Sequence, residues 1–320
     1  MLAAVYRTTG DSQVLSVEDV QSPEPGPGEV RVRLRVAGVN PTDWKMRSTA
    51  KVGHEFQIPG QDGAGDVDAV GAGVDAGRIG ERVWVWFAAA NGRQWGSAAQ
   101  WTVVPARQAV PLPDGVSYDV GAGLGIPAMT AWHCLFADGP LDGRDVLVAG
   151  GAGAVGNAAV ALAYRAGARV VATASTPQKA ALATAAGAHA VIDYRATDAA
   201  EQVRAAAPRG VVRVVEVALG ANLALDLAVA APRSVIATYA DDDLKTSTRP
   251  LMVANVTLAF VLVYGLADAS LDAAVTGVSR ALAAGDLPSL PVTRFPLAEI
   301  AAAHDAVQAG ALGKVLVDLP

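Results

Sequence analysis

Apolar positions along this chain follow two different patterns. Through residues 1–110 they come in short runs of β character, Val30–Val36, Gly65–Val70, Arg82–Phe87 and Trp101–Val104, separated by Pro/Gly turns. Val30, Val32, Leu34 and Val36 alternate, the period of a strand buried on one face, and SPEPGPGEV (Ser22–Val30) leads into them as a turn-rich connection. PLPDGVS (Pro111–Ser117) punctuates the chain, and helical patterning begins after it. From there to Ala284 apolar strands alternate with helical segments: Val146–Ala149, Val170–Ala174, Ala190–Asp193, Val211–Val217, Ser234–Thr238 and Thr257–Tyr264. That alternation predicts one doubly wound parallel sheet in an α/β protein. After Gly285-Asp286 the chain turns irregular (PSLPVTRFPL), then gives a helix over Ala298–Gln308 and a last strand over Lys314–Leu319. This tail is expected to return to the first domain. The expected division is residues 1–118 with 286–320, and residues 119–285.

The stretch from Val146 to Lys179 concentrates the chemistry. An apolar run meets a glycine cluster, an alanine-rich helical segment follows (Ala154–Ala166), and a second apolar run ends at Ser175. Strand, turn, helix and strand in that order form the first half of a dinucleotide-binding unit. Gly151, Gly153 and Gly156 spell GxGxxG, read as one glycine for the tight turn, one for backbone approach to a pyrophosphate and one for close helix–strand packing. The helix starting near Ala154 points free N–H groups and a positive dipole end at the phosphates. The glycines alone carry little weight among 33, and a plain packing turn is the competing reading; the strand before and the helix after favour the cofactor. An NAD-preferring site usually has Asp or Glu about 20 residues beyond the glycines. Here that place holds Ala174-Ser175-Thr176 with Lys179 close behind, so nothing repels a 2′-phosphate and a hydroxyl and an ammonium stand ready. NADPH is therefore expected over NADH. Thr176-Pro177 is equally an N-cap with proline at the first helical position, and Lys179 a solvated helix residue.

Composition narrows the classes. With 320 residues, 52% of them hydrophobic and 18% charged, the chain can build two substantial cores. Its net charge of −6 argues against nucleic acid or an anionic membrane as the main partner. A lone cysteine, Cys134, excludes an internal disulfide and a cysteine-built zinc site. MLAAVYRTTG lacks the pattern of a signal peptide, so a reducing cytoplasm is expected. The uncharged stretch between Arg249 and Asp268 is short for a membrane span and broken by Pro250, Asn255, Thr257 and Gly265; a buried strand over Thr257–Tyr264 is expected there.

Ala37-Gly-Val-Asn-Pro-Thr-Asp43, Ile58-Pro-Gly-Gln-Asp-Gly-Ala-Gly65, Pro111-Leu-Pro-Asp-Gly115, Ala149–Gly156, Val191-Ile-Asp-Tyr194 and Gly313-Lys-Val-Leu316 together resemble the medium-chain dehydrogenase/reductase superfamily, in its zinc-free quinone oxidoreductase (zeta-crystallin-like) branch. The resemblance covers nearly the whole length. It implies a GroES-like, β-rich N-terminal substrate domain completed by the C-terminus, a Rossmann NADPH-binding domain, an active site in the cleft, and a homodimer paired through edge strands of the Rossmann sheet, with the Thr257–Tyr264 run as a candidate seam. Zinc-dependent relatives carry Cys near the place of Asn40 and Gly-His-Glu where this chain has Gly60-Gln61-Asp62. Both ligands are missing, and Gly53-His54-Glu55 falls too early, so no metal is expected. His133, His189 and His304 are scattered and read as structural.

Without zinc another group must polarise the acceptor. The resemblance places Asn40 beside nicotinamide and substrate, where its amide could donate to a carbonyl or quinone oxygen. Asn40-Pro41 is also an N-cap with proline at the first helical position, and Asp43 suits the positive helix end. Lys45 is a candidate proton or hydrogen-bond donor. The tyrosine that some family members carry eleven residues after this asparagine is replaced by Lys51, which weakens an enoyl-thioester reductase reading. Cofactor contacts map by resemblance onto Thr130, the turn with Gly151, Gly153, Ala154, Val155 and Gly156, then Ser175, Thr176, Lys179, Tyr194 and Lys314. Tyr194 could equally cap the sheet. Trp84, Trp86, Phe87, Trp95 and Trp101 read as packing of the first domain ahead of lining an acceptor pocket. The expected function is NADPH-dependent, zinc-independent hydride transfer to a quinone or related conjugated carbonyl, a small-molecule acceptor. The alternatives are a 2-alkenal or enone reductase and, in another class, an NADPH-binding redox sensor or structural protein.

Overall fold

A computed structural model describes all of residues 1–320, which divide into two compact units: Met1–Ile126 with Pro291–Pro320, and Pro127–Leu290. In the first unit β1 (Leu2–Val5) and β2 (Ser16–Asp19) pair antiparallel as a ribbon. There follow β3 (Glu29–Val39), α1 (Pro41–Thr49), β4 (Asp62–Val70), β5 (Arg82–Val85), β6 (Trp101–Pro105), β7 (Ala109–Pro111) and α2 (Tyr118–Ala122). The alternation in β3 buries Val30, Val32, Leu34 and Val36 as expected. β4 pairs along one edge of β3, and β6 takes residues 29–33 of the other. α2 packs on β3, β4 and β5, and so belongs to the first unit.

The second unit holds α3 (Gly125–Phe136, from its third residue on), β8 (Asp145–Val148), α4 (Ala154–Arg165), β9 (Arg169–Thr173), α5 (Pro177–Ala185), β10 (Ala190–Ile192), α6 (Ala199–Ala206), β11 (Val211–Glu216), α7 (Leu219–Val229), β12 (Ala230–Thr238), α8 (Thr248–Ala254), β13 (Thr257–Phe260) and α9 (Asp268–Ala283). Six parallel strands lie in the order β10-β9-β8-β11-β12-β13. The strand order reverses at β8, so the β8–β11 edge is the switch point of a doubly wound sheet. Val146 and Val148 of β8 enter one apolar cluster with residues of α4, while Leu147 enters a second with residues of α6 and α7. Helices therefore cover both faces, and a strand buried on both sides reads as a continuous apolar run.

β14 (Val292–Pro296), α10 (Ile300–Gln308) and β15 (Lys314–Asp318) complete the first unit. β15 lies antiparallel to residues 36–39 of β3 and parallel to β14, so the tail does return to the first sheet. Two expectations need correction. The stretch read as irregular contains β14, an edge strand almost wholly exposed, whose flanking prolines mask its β character. The strand expected over Thr257–Tyr264 ends at Phe260, and it is an edge strand rather than a buried one: Phe260 is 70% and Leu262 68% exposed. No helix is long and apolar enough to cross a membrane.

Candidate active site

In the second unit, the turn after β8 is built by three separable steric demands. Gly150 takes φ +68°, so it is the residue that makes the tight turn, a task the sequence pattern assigned to Gly151. A Cβ on Gly151 would come within 2.9 Å of Ala172 Cβ and 3.0 Å of Ala183 Cβ, which makes Gly151 a packing position. A Cβ on Gly156 would stand 2.2 Å from the Gly150 carbonyl, so α4 presses directly on the turn. Gly153 differs: its Cβ would meet nothing nearer than the Gly150 oxygen at 3.5 Å, leaving the backbone open to a ligand. Gly153 caps α4, and the first bond within the helix runs from Asn157 N–H to the Gly153 carbonyl at 2.8 Å. The Ala154, Val155 and Gly156 amides precede that bond and form a positive helix start beside open space. Asn157 pins this arrangement by donating to the carbonyls of Gly151 and Leu182 at 3.2 and 3.1 Å. The residues present therefore fit a pyrophosphate.

At the end of β9 no carboxylate follows Ala174. Ser175 is half-buried, and Thr176 caps α5 by accepting Lys179 N–H at 3.2 Å. Arg195, which the sequence reading did not single out, reaches across from the end of β10. Its guanidinium donates to the Ser175 carbonyl and grips Asp193 in a fork at 2.9 and 2.8 Å. This neutralises the one carboxylate just past the ends of β9 and β10, and Arg195 holds the Asp193 carboxyl down at about 2. Tyr194 beside it is 44% exposed. Thr130 is buried on α3.

The first unit holds a second group of candidates, drawn from three places far apart in sequence. Asn40, at the end of β3, precedes Pro41 and starts α1. Asp43 reaches back to accept Asn40 N–H through Oδ2 at 2.7 Å, in a capping box opened by Asn40 and its side-chain amide. That amide donates from Nδ2 to Asp62 Oδ2 at 2.7 Å and accepts from Lys314 Nζ at 2.7 Å. Asp62, the first residue of β4, takes in addition the Ile126 N–H, at 3.0 and 3.1 Å to its two oxygens. It sits against the start of α3 so tightly that a Cβ on Gly125 would lie 2.1 Å from Oδ1, and the helix dipole favours its charge. Lys314 Nζ stands 3.9 Å from Asp62 Oδ2. All four residues are buried. Burial pushes the Asp43 carboxyl up to about 7, opposed first by the Asn40 N–H and then by Lys314, and the Asp62 carboxyl up to about 6, opposed first by Lys314 and then by the Asn40 amide. Burial pushes the Lys314 ammonium down, opposed by Asp62 and then Asp43.

A cavity of about 250 Å³ opens beside this group. Asp43 and Gln61 lie among its lining residues, and Asp43 Oδ1 and Gln61 Oε1 have no hydrogen-bond partner. Lys51 and His54, both exposed, stand on its lining as well. Lys45 does not line it; its ammonium lies 5.9 Å from the Trp44 ring. Trp84, Trp86 and Phe87 are fully buried and none of the five aromatics singled out lines the cavity, so they serve packing. The His54 ring contacts the Gly92 carbonyl at 2.6 Å, and His304 is buried, its imidazole pushed down to about 4 by burial. No three His, Cys, Asp or Glu side chains stand together as a metal-holding group.

The chain was compared with known proteins. Residues 26–114 match the model of the alcohol dehydrogenase GroES-like domain, and residues 154–279 that of the zinc-binding dehydrogenase family. A phthioceranic/hydroxyphthioceranic acid synthase of Mycobacterium tuberculosis is 33% identical over 98% of this chain, which spans 15% of that much longer protein. A solved mycobacterial quinone oxidoreductase is 30% identical, covers 99% of both chains and superposes with a TM-score of 0.84. A mycobacterial structure complexed with NADPH is 29% identical over 99% of this chain and 100% of that one, with a TM-score of 0.86. Taken with the doubly wound sheet and the glycine turn, these matches show that the chain belongs to the medium-chain dehydrogenase/reductase superfamily, in its quinone oxidoreductase-like family.

Proposed function

We propose that this protein is an NADPH-dependent, zinc-independent oxidoreductase that passes hydride to a quinone or a related conjugated carbonyl. The observation that carries the reading is the open backbone at Gly153, set at the start of α4 and followed by strand ends without a free carboxylate. When bound, the nicotinamide supplies the hydride. The chain's own residues do the rest. The Ala154–Gly156 amides hold the pyrophosphate, and Ser175, Thr176, Lys179 and Arg195 take the 2′-phosphate, with Tyr194 beside them. Thr130 stays assigned to the nicotinamide side by family resemblance. In the first unit Lys314, Asn40 and Asp62 form a preorganised polar floor, and the adjoining cavity receives the acceptor. Lys45, on α1, stays a candidate donor, although it is not among the residues lining that cavity.

A 2-alkenal or enone double-bond reductase is the second reading, and one observation favours it: Asp43 is among the cavity's lining residues and burial pushes its carboxyl up to about 7, into the range of a proton donor. We further propose that two copies pair through β13, and that the chain works in the cytoplasm, where a buried Cys134 stays reduced. Cofactor titration tests the main reading. NADPH is expected to bind at least about 10-fold more tightly than NADH, and Arg195→Ala to remove most of that ratio, the loss of a charge-assisted contact worth roughly 1.5–3 kcal/mol. Equal affinity for the two nucleotides contradicts it.

A further inference from the structure

We propose that the cavity of the first unit takes an acceptor that bears a carboxylate, and that Lys51 and His54 at its edge select that group. This rests on the function proposed above. The cavity has an apolar wall and a charged edge. Met46 of α1, Val52, Pro59 and Ala89 supply the wall, which suits a flat conjugated body. Lys51 and His54 are both exposed and both on the lining. The Lys51 ammonium makes no hydrogen bond and no ion pair. The His54 Nε2 stands 2.6 Å from the Gly92 carbonyl oxygen, which can only accept, so Nε2 carries the proton. Nδ1 is then an acceptor in the neutral ring and a second donor in the imidazolium, the form that a neighbouring carboxylate favours.

No acid of the chain answers that lysine. Glu55, the next residue along, is off the lining and acts on Arg7, whose charged form it supports after Glu18. Asp43 is the one carboxyl on the lining, and burial pushes it up to about 7. In a chain of net charge −6 the edge of this cavity therefore carries a positive charge with nothing to neutralise it. The edge is also held in place. Gln57 Nε2 donates to the carbonyls of Ile58, Arg93 and Gln94 at 2.9, 2.9 and 3.0 Å, and the Gln57 backbone pairs with Tyr6 at 2.8 and 3.0 Å. On the facing side the Arg93 guanidinium donates to the carbonyls of Phe87 and Ala88, which fixes the turn that presents Gly92. Little ordering is left for the ligand to impose. A carboxylate brings one negative charge to one lysine. A phosphate dianion would set a second charge near Asp43 with no further cation on the lining to meet it.

Calorimetric titration of the full chain with anthraquinone-2-carboxylate and with its methyl ester tests this. The acid is expected to bind at least about 10-fold more tightly than the ester, the ratio that one charge-assisted contact gives. Lys51→Met, at an exposed position, is expected to bring the ratio to within about 2-fold, with the ester's affinity as the internal reference. His54→Gln, whose amide can still donate to the Gly92 carbonyl, is expected to lower the ratio by a smaller factor. Equal affinity for acid and ester in the wild type overturns the proposal, as does a Lys51→Met variant that keeps the wild-type ratio. Phenyl phosphate binding more tightly than benzoate overturns the choice of a carboxylate. NADPH-dependent reduction of the same two anthraquinones is measured separately. Reduction of neither counts against the proposed function, and the binding ratio still decides the carboxylate site.

Discussion

Lys314 meets Asn40 across 274 positions of sequence, and Asp62 meets Ile126 across 64. At the scale of single residues the molecule is shaped by such buried polar groups, and the way each is neutralised has a measurable consequence. Glu216, at the end of β11, accepts from the Asn222 amide at 2.9 Å and from Ala218 N–H through Oε1, while Oε2 has no partner. Asp226 of α7 faces it with both oxygens unpartnered. Two carboxylates offer each other no donor, so a shared proton is what satisfies the pair. Burial, then Glu216, pushes Asp226 up to about 8. The folded state thus holds a proton that the unfolded chain releases at the ordinary carboxylate value. The associated stability is complete below that value and is lost as pH rises through about 8. Asp226→Asn keeps a donor toward Glu216 and removes the titration. Its Tm is expected to match the wild type at about pH 3.5 and exceed it by several degrees near pH 9, at about 2–4 °C for each kcal/mol. Thermal melts at the two pH values check this; a variant less stable at both would show that Asp226 contributes through something other than its proton. Asp193 and Glu18 are shifted the opposite way by Arg195 and Arg7, but Asp193 is exposed and Glu18 only half-buried, so solvent screens both pairs.

At the scale of elements, the strand–turn–helix around Gly150–Gly156 was readable because burial on both faces writes β8 and β9 as continuous apolar runs with glycines between them. Which glycine makes the turn was not readable, since GxGxxG records spacing while φ at Gly150 and contacts at Gly151 depend on Ala172 and Ala183. The same rule misled over Thr257–Tyr264. An apolar run is buried in the middle of a sheet, but β13 closes an edge, where Phe260 and Leu262 point outward. An edge strand with exposed large apolar side chains is a template for pairing. Phe260→Asp is expected to shift the sedimentation mass from two chains to one without lowering NADPH affinity. A wild-type protein already at the mass of one chain would end the pairing proposal.

At the scale of the whole molecule, two units were legible from the change of apolar period and from the turn at PLPDGVS, and the return of the tail followed from its final strand. The glycine turn between β8 and α4 was legible because its residues are contiguous. The buried group of the first unit was legible only in part: Asn40 and Lys314 came from family resemblance and Asp43 from the local helix start, whereas Asp62 acquires its meaning from a pairing across 22 residues that no local pattern records. Arg195 escaped notice because a guanidinium beside Tyr194 matters only once β10 lies next to β9. These residues converge on one chemical claim, hydride transfer from NADPH to a conjugated carbonyl without a metal. The most direct test follows NADPH consumption by EDTA-treated protein, with a bulky ortho-quinone and a 2-alkenal assayed in parallel. The account expects turnover that survives EDTA, requires NADPH, and is faster with the quinone. Turnover abolished by EDTA and restored by zinc would contradict it, as would tight NADPH binding with neither acceptor reduced.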